Sequence, residues 1–119
     1  MEDRQAIEQA ALDYVEGWYQ GDSSRMERAL YDRLVKRRIT PEGEVWEVDK
    51  KWMVEATGNG RGKIEHPEKG KKVVTLLDKT ERMCSVKIES EQFIDYVHLV
   101  KDAGEWKIVN VLWDYYAQE

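Results

Sequence analysis

Two stretches decide the fold: AALDYVEGWYQGD, residues 10–22, and FIDYVHLVKDAGEWKIVN, residues 93–110. The first is typical of an amphipathic helix, because its apolar residues recur three and four positions apart. Gly21 can take the left-handed conformation that ends such a helix. The second stretch has two apolar-rich arms around Asp102-Ala103-Gly104, which is typical of a long β-hairpin. Together they predict a helix-covered, curved sheet, and such a sheet can enclose a pocket.

The rest of the chain predicts the order α-α-β-β-α-β-β-β-β, an α+β domain over residues 1–119. Helices are predicted over 3–20, after a cap among residues 22–24, and over 50–56. Strands are predicted over 34–39, 44–48, 73–77, 83–89, 93–101 and 106–113. In the short second helix, Met26, Ala29 and Leu30 form the apolar face, and Ser24 with Glu27 fits a capping box.

The strand predicted over 93–101 is largely apolar on both faces. Alternation gives one face Phe93, Asp95, Val97 and Leu99, and gives the other Ile94, Tyr96, His98 and Val100. A strand of this kind in an antiparallel sheet usually has helices on one side and another sheet or subunit on the other. The pattern therefore predicts a homodimer through the sheet face.

Composition and charge limit the classes of partner and the cellular compartment that we expect. The 119 residues carry a net charge of -5, which argues against nucleic acid as a partner. The basic run Lys36-Arg37-Arg38 is short and is interpreted as solvated surface. No apolar stretch is long enough to span a membrane. The single cysteine, Cys84, excludes an intrachain disulfide, so we expect a cytoplasmic protein.

Several of these residues resemble a known family. Residues 14–22 and 26–31, with 95–101 and 104–110, resemble nuclear transport factor 2-like (NTF2-like) proteins. The chain looks most like the bacterial group described as "putative lumazine-binding", close to the SnoaL-like and ketosteroid isomerase-like proteins. The resemblance implies a cystatin-like cone, in which a curved antiparallel sheet wraps around three helices and leaves a cavity, and it implies homodimers packed through the sheet. It says much about fold and little about function.

Tyr14 and Asp95 are the candidate catalytic residues. Tyr14 lies on the apolar helix face, and Asp95 is the only charge on its face of the strand. Burial would raise the pKa of this carboxyl, since it penalises the charged form. A neutral acid beside a phenol can donate two hydrogen bonds to an oxyanion, as in ketosteroid isomerases. The alternative is that Tyr14 closes the cavity floor and Asp95 pairs with a basic residue or lies at the rim.

The isomerase resemblance lacks one part. Those enzymes carry a general-base aspartate after the second helix, whereas this stretch reads Asp32-Arg33-Leu34-Val35-Lys36-Arg37-Arg38, with arginine near that site. Asp32 comes too early and is expected in the turn. The set of residues that the isomerase reaction needs is therefore incomplete in this sequence.

An apolar pocket with a few inward polar groups is the usual form of a small-molecule site. The candidate ligand-binding residues are Trp18, Trp52, Val97 and Asn110. Asn110 is interpreted either as a pocket hydrogen-bonder or as a satisfied core amide. The two histidines, His66 and His98, form no recognisable metal motif, and the glycine run at 58–62 lacks phosphate-loop spacing. No metal and no cofactor are predicted.

Three functions stay open from the sequence. The first is a protein that binds a small hydrophobic or aromatic molecule. The second is an enzyme of the isomerase, cyclase or dehydratase kind, using Tyr14 and Asp95 for oxyanion stabilisation or proton transfer. The third is a dimeric interaction module. The missing base favours binding over catalysis.

Overall fold

The computed structural model describes residues 2–116; the ends of the predicted domain range, residue 1 and residues 117–119, lie outside it. The helices are α1 (Asp3–Gln20), α2 (Ser23–Ala29) and α3 (Lys50–Gly58), with a 3-10 turn at Pro67–Lys69. The strands are β1 (Leu30–Ile39), β2 (Val45–Val48), β3 (Val73–Lys79), β4 (Met83–Glu89), β5 (Phe93–Asp102) and β6 (Glu105–Tyr115). This element order confirms the predicted one.

Helix α1 has the predicted bounds because both of its ends are capped. At its start the Glu2 carboxylate accepts a hydrogen bond from the backbone N–H of Gln5 at 3.3 Å. At its end Gly21 has φ 70°, and its N–H bonds to the carbonyls of Gly17 and Trp18. Between these caps the buried face of the helix faces the sheet.

Helix α2 starts after one of its three predicted caps but ends earlier than predicted. Its cap is Asp22, whose carboxylate accepts from the N–H groups of Ser24 and Arg25 at 3.0 and 3.1 Å. The predicted capping box of Ser24 and Glu27 is therefore wrong, because Ser24 already lies inside the helix. The helix ends at Ala29, and Leu30 has extended backbone angles, so β1 starts four residues earlier than predicted.

The six strands form one sheet in the order β2-β1-β6-β5-β4-β3. The sheet curves without closing, as the predicted fold class requires. One pairing differs from the predicted antiparallel sheet: β1 runs parallel to β6, whereas every other neighbouring pair is antiparallel. A parallel pair needs a long crossover connection, which here is the whole chain between residues 39 and 105.

The core lies between the concave face of the sheet and the helices. Its fully buried side chains include Ile7 of α1, Met26 of α2, and Leu99 and Ile108 of the central strands. No helix among residues 2–116 is long and apolar enough to cross a membrane.

A candidate ligand-binding cavity

A cavity of about 370 Å³ opens at one end of the curved sheet. Its walls come from α1, β1, β2, α3, the loop after α3, and the ends of β5 and β6. Six aromatic side chains form most of the lining: Trp18, Trp46, Trp52, Phe93, Trp113 and Tyr115. Lys36, Arg38, Thr40, Met53 and Arg61 complete it.

The aromatic rings support one another edge to face. The Trp46 ring lies 5.2 Å from that of Trp52 and 5.4 Å from that of Trp113, with interplanar angles of 87° and 89°. Phe93 meets Trp113 at 5.2 Å and 81°. Such arrangements are favourable beyond the area that they bury. The wall is therefore a connected aromatic array that includes β2, β5, β6 and α3.

The three charged side chains of the lining are all cations, and each lies over an aromatic face. The Lys36 Nζ is 5.9 Å from the Trp18 ring centroid and 5.6 Å from that of Trp113. The Arg38 guanidinium is 5.6 Å from the Trp113 ring, and that of Arg61 is 5.1 Å from the Trp52 ring. These distances are within the range of cation–π attraction.

Lys36 connects the cavity to the predicted pair Tyr14 and Asp95. Its Nζ donates to the Tyr14 hydroxyl at 2.6 Å. That hydroxyl donates in turn to Asp95 Oδ2, also at 2.6 Å. The phenol thus bridges an ammonium group to a carboxyl group, and both Tyr14 and Asp95 are only 5% exposed.

Burial dominates the ionisation of all three groups. It raises the pKa of Asp95 above its ordinary value, although the Lys36 cation and the Tyr14 hydrogen bond oppose the rise. Burial also raises the pKa of Tyr14, with a further contribution from the Asp95 charge. It lowers the pKa of Lys36, against the opposing attraction of Asp95. The direction found for Asp95 is the one that the sequence predicts.

The geometry changes what Tyr14 and Asp95 can do. In the predicted oxyanion arrangement both groups donate to a ligand, but here the phenol hydrogen is directed to Asp95. Neither residue is part of the cavity lining, whereas Lys36 is. Any effect of the pair on a bound molecule would therefore act through the lysine ammonium. The catalytic role assigned to Tyr14 and Asp95 stays a prediction.

The predicted ligand-binding residues divide into two groups. Trp18 and Trp52 lie in the cavity wall. Val97 is 1% exposed and belongs to the core instead. Asn110 lies on the opposite face of the sheet, where its Nδ2 is 3.2 Å from Nδ1 of His98, so the prediction that it points into the pocket is wrong.

A β-bulge explains the position of Asn110. In the ladder between β5 and β6, His98 pairs with Asn110 but Leu99 pairs with Ile108, so Val109 is an extra residue. A bulge of one residue reverses the alternation of inward and outward side chains beyond it. Ile108 precedes the bulge and faces the core. Beyond the bulge, the inward residues are Val111 and Trp113 rather than Asn110 and Leu112.

Sequence reasoning missed the cationic part of the wall. The interpretation of the run Lys36-Arg37-Arg38 as solvated surface is right for the half-exposed Arg37 and wrong for its two neighbours. A signal was present: Leu34, Lys36 and Arg38 alternate along β1, so a buried Leu34 puts both cations on the inward face.

Arg61 reaches the wall because the loop after α3 packs closely on Trp18. A Cβ atom at Gly62 would collide with the Trp18 indole, so only glycine permits this approach.

Within residues 2–116, no three His, Cys, Asp or Glu side chains are grouped so that they could hold a metal ion.

Comparison with known structures supports the fold. An NTF2-like protein of unknown function from Shewanella baltica is 19% identical, with 98% of this chain and 95% of that chain covered and a TM-score of 0.82. An NTF2-like protein of unknown function from Silicibacter pomeroyi is 15% identical, with 97% and 99% covered and a TM-score of 0.78. A ketosteroid isomerase-like protein from Erwinia carotovora is 14% identical, with 98% of both chains covered and a TM-score of 0.65.

Comparison of the sequence with curated proteins gives no significant match. The model of one protein family does match, over residues 2–114, and its description is "Putative lumazine-binding". That match covers nearly the whole chain, and the structural neighbours carry the same fold. The chain belongs to this family, and its fold is that of the NTF2-like structures.

Proposed function

We propose that the protein binds a small, flat, hydrophobic or aromatic molecule in the cavity lined by Trp18 and Trp52. The observation that carries this proposal is the ring of six aromatic side chains around about 370 Å³ of space. Aromatic faces stack on planar ligands, and concave, mostly apolar cavities are the usual small-molecule sites. The family description supports a ligand-binding role without supplying the ligand.

A titration of the intrinsic tryptophan fluorescence tests this proposal. The probes are 2-naphthoate and 2-naphthamide, which share the same two-ring body. At least one of them should change the emission saturably, because four tryptophans surround the cavity. Trp52→Ala should weaken binding, since it removes one wall. Leu77→Ala is the control, because Leu77 is 50% exposed in β3 and lies outside the cavity lining. Failure of both probes to bind would contradict the proposal.

A second candidate function is an enzyme of the isomerase, cyclase or dehydratase kind. The chain of hydrogen bonds from Lys36 through Tyr14 to Asp95 favours it, because the lowered pKa of Lys36 increases the fraction of neutral amine that can accept a proton. Proton transfer can be followed as exchange of the acidic hydrogens of a bound ketone into deuterated water. Exchange that is faster than in buffer, and lost in Lys36→Met, supports catalysis; no acceleration favours binding alone.

The outer sheet face supports the predicted homodimer, with a second copy of the chain as the partner. Tyr96 and Leu112 pair across β5 and β6 and are 48% and 50% exposed. Met83 of β4, at 60%, lies on the same face, beyond the polar pair Ser85 and His98. Sedimentation at several protein concentrations should give a dimer, and Leu112→Lys should give a monomer with an unchanged circular dichroism spectrum. A monomer for the parent chain at all concentrations would exclude this partner.

The same proposal includes the reducing cytosol as the compartment. Its support is the single cysteine, Cys84, which is buried in β4 and whose pKa is raised to about 11 by burial. Such a thiol is unreactive and needs no oxidising environment. Fractionation of cells producing the tagged chain tests it, and recovery outside the cytosol would contradict it.

A further inference from the structure

We propose that the ligand of this cavity is an aromatic carboxylate, held by its anionic group between Lys36, Arg38 and the indole N–H of Trp113. This inference rests on the proposed function, because it assigns a chemical class to the molecule that the cavity binds. The basis of the inference is that most polar groups around the aromatic wall are hydrogen-bond donors and that every charged side chain of the wall is positive.

The first observation is the charge of the lining. Lys36, Arg38 and Arg61 line the cavity, and no carboxylate does so among the residues that the structure describes. Arg38 is bonded to the exposed Asp114 at 2.9 Å, outside the lining. A cationic ligand would meet like charges at each of these positions, and a purely apolar ligand would leave their desolvation uncompensated.

The second observation is the unfilled donor capacity of Lys36. An ammonium group has three N–H donors. One donates to the Tyr14 hydroxyl, and no second acceptor is within hydrogen-bond distance of Nζ in the described part of the chain. Around the remaining donors lie the faces of Trp18 and Trp113, which attract the cation but accept no conventional hydrogen bond. A carboxylate oxygen would supply the missing acceptor.

The third observation is an orphaned donor in the same wall. The Nε1 atom of Trp113 is buried and has no hydrogen-bond partner among residues 2–116. Buried donors are nearly always paired, so this exception needs an explanation. The Trp113 ring lies 5.6 Å from both the Lys36 Nζ and the Arg38 guanidinium carbon. An anionic group that contacts this ring would therefore lie near both cations.

The aromatic wall itself points to an anion rather than a cation. Aromatic cages commonly recognise organic cations, but here the chain places its own cations over the ring faces of Trp113 and Trp52. The electrostatic preference of those faces is thus already met. A ligand that fits this wall therefore needs a planar apolar body that stacks on the rings and an acceptor group that bonds to the donors.

The experiment compares 2-naphthoate with 2-naphthamide by calorimetry at pH 7. The two probes share ring system and shape, and only the first is charged. We expect 2-naphthoate to bind at least about tenfold more tightly, since hydrogen bonds to charged groups are about twice as strong as neutral ones. Equal or tighter binding of the amide would overturn the inference while leaving the proposed function intact. Binding of neither probe would overturn both.

Two substitutions test the assigned residues. Lys36→Met should remove most of the preference for the acid while retaining amide binding. Trp113→Phe should weaken naphthoate binding without changing the net charge. The control Arg33→Gln removes a cation from the exposed side of β1 and should keep the preference. Retention of the full preference in both Lys36→Met and Trp113→Phe would overturn the assignment. If Lys36→Met does not fold, the preference for 2-naphthoate over 2-naphthamide in the parent chain and in Trp113→Phe tests the assignment.

Discussion

The hydroxyl oxygen of Tyr14 lies 2.6 Å from the Nζ of Lys36 and 2.6 Å from Oδ2 of Asp95, so one phenol joins a lysine of the cavity wall to a carboxyl of the core. Three polar groups from α1, β1 and β5 are thereby joined by hydrogen bonds in a largely apolar interior. Networks of this kind stabilise a fold only while every member keeps its partners.

Tyr14→Phe should destabilise the protein by about 1–3 kcal/mol, because it leaves two buried polar groups without their shared partner. Urea denaturation measures this loss. The matched control is Tyr31→Phe, since the Tyr31 hydroxyl makes no hydrogen bond within the described residues, and its effect should stay within about 0.5 kcal/mol. Equal effects of the two substitutions would contradict the role given to the bridge.

The carboxyl of Asp95 should titrate above its ordinary value of 3.8, mainly because of burial. Its carbon resonance can be followed by NMR against pH. In Lys36→Met the pKa should rise further, because the cation that favours the ionised form is gone. A pKa at or below 3.8, or one unchanged in Lys36→Met, would contradict this account.

The same shift has a consequence for stability. A folded-state pKa above the unfolded value means that the folded protein binds more protons between the two values. The contribution of Asp95 is thus fully present below pH 3.8 and is lost as pH rises through the folded-state pKa. Asp95→Asn should remove this part of the pH dependence in urea titrations. An unaltered pH dependence would show that Asp95 does not contribute to it.

The carboxyl of Asp13 should behave in the opposite way. Burial favours its neutral form, but hydrogen bonds from Arg28, Arg25 and Gln9 outweigh this and lower its pKa. The stability that it contributes is therefore present above pH 3.8 and is lost as pH falls through the lowered pKa.

Asp13→Asn should accordingly destabilise the protein at pH 7, by about 1–3 kcal/mol, and weaken its loss of stability in acid. The ion pairs to Arg25 and Arg28, at 2.9 and 3.1 Å, join α1 to α2. Asp32→Asn is the control, because its side chain is 92% exposed. Urea denaturation between pH 2 and 7 distinguishes the two, and identical curves would exclude a special role for Asp13.

Gly62→Ala should destabilise the protein by about 1–3 kcal/mol and weaken probe binding, since its Cβ would collide with the Trp18 indole and displace the loop that carries Arg61. Gly58→Ala is the matched control. Its Cβ would meet Ser23 at an ordinary 3.5 Å, and alanine favours the helix that ends there. Thermal denaturation and naphthoate titration measure both effects; a neutral Gly62→Ala would contradict the close packing.

Much of the fold could be predicted because its signals are local. The period of α1 and its terminal Gly21, or the two apolar arms around residues 102–104, need only neighbouring residues to be interpreted. The parallel pairing of β1 with β6 could not be predicted in this way, because it joins segments far apart in sequence and leaves no local pattern.

The site was harder to predict for two physical reasons. The bulge at Val109 shifts the facing of every later residue of β6, so Val111 and Trp113 face inward in place of Asn110 and Leu112. Charge was the second difficulty. A lysine in a basic run is ordinarily solvated, and only the partners that surround Lys36 in space, Tyr14 and two indoles, make an inward position tolerable.

The position of β6 between β1 and β5 has a kinetic consequence. Without β6, the strands β1 and β2 would form one antiparallel sheet and β3, β4 and β5 another, with no pairing between the two. Joining them requires contacts such as Leu30 with Ile108, between residues remote in sequence, and such contacts form slowly. The step that completes the sheet also brings Trp113 beside Lys36. The cavity is therefore complete only once this long-range pairing has formed.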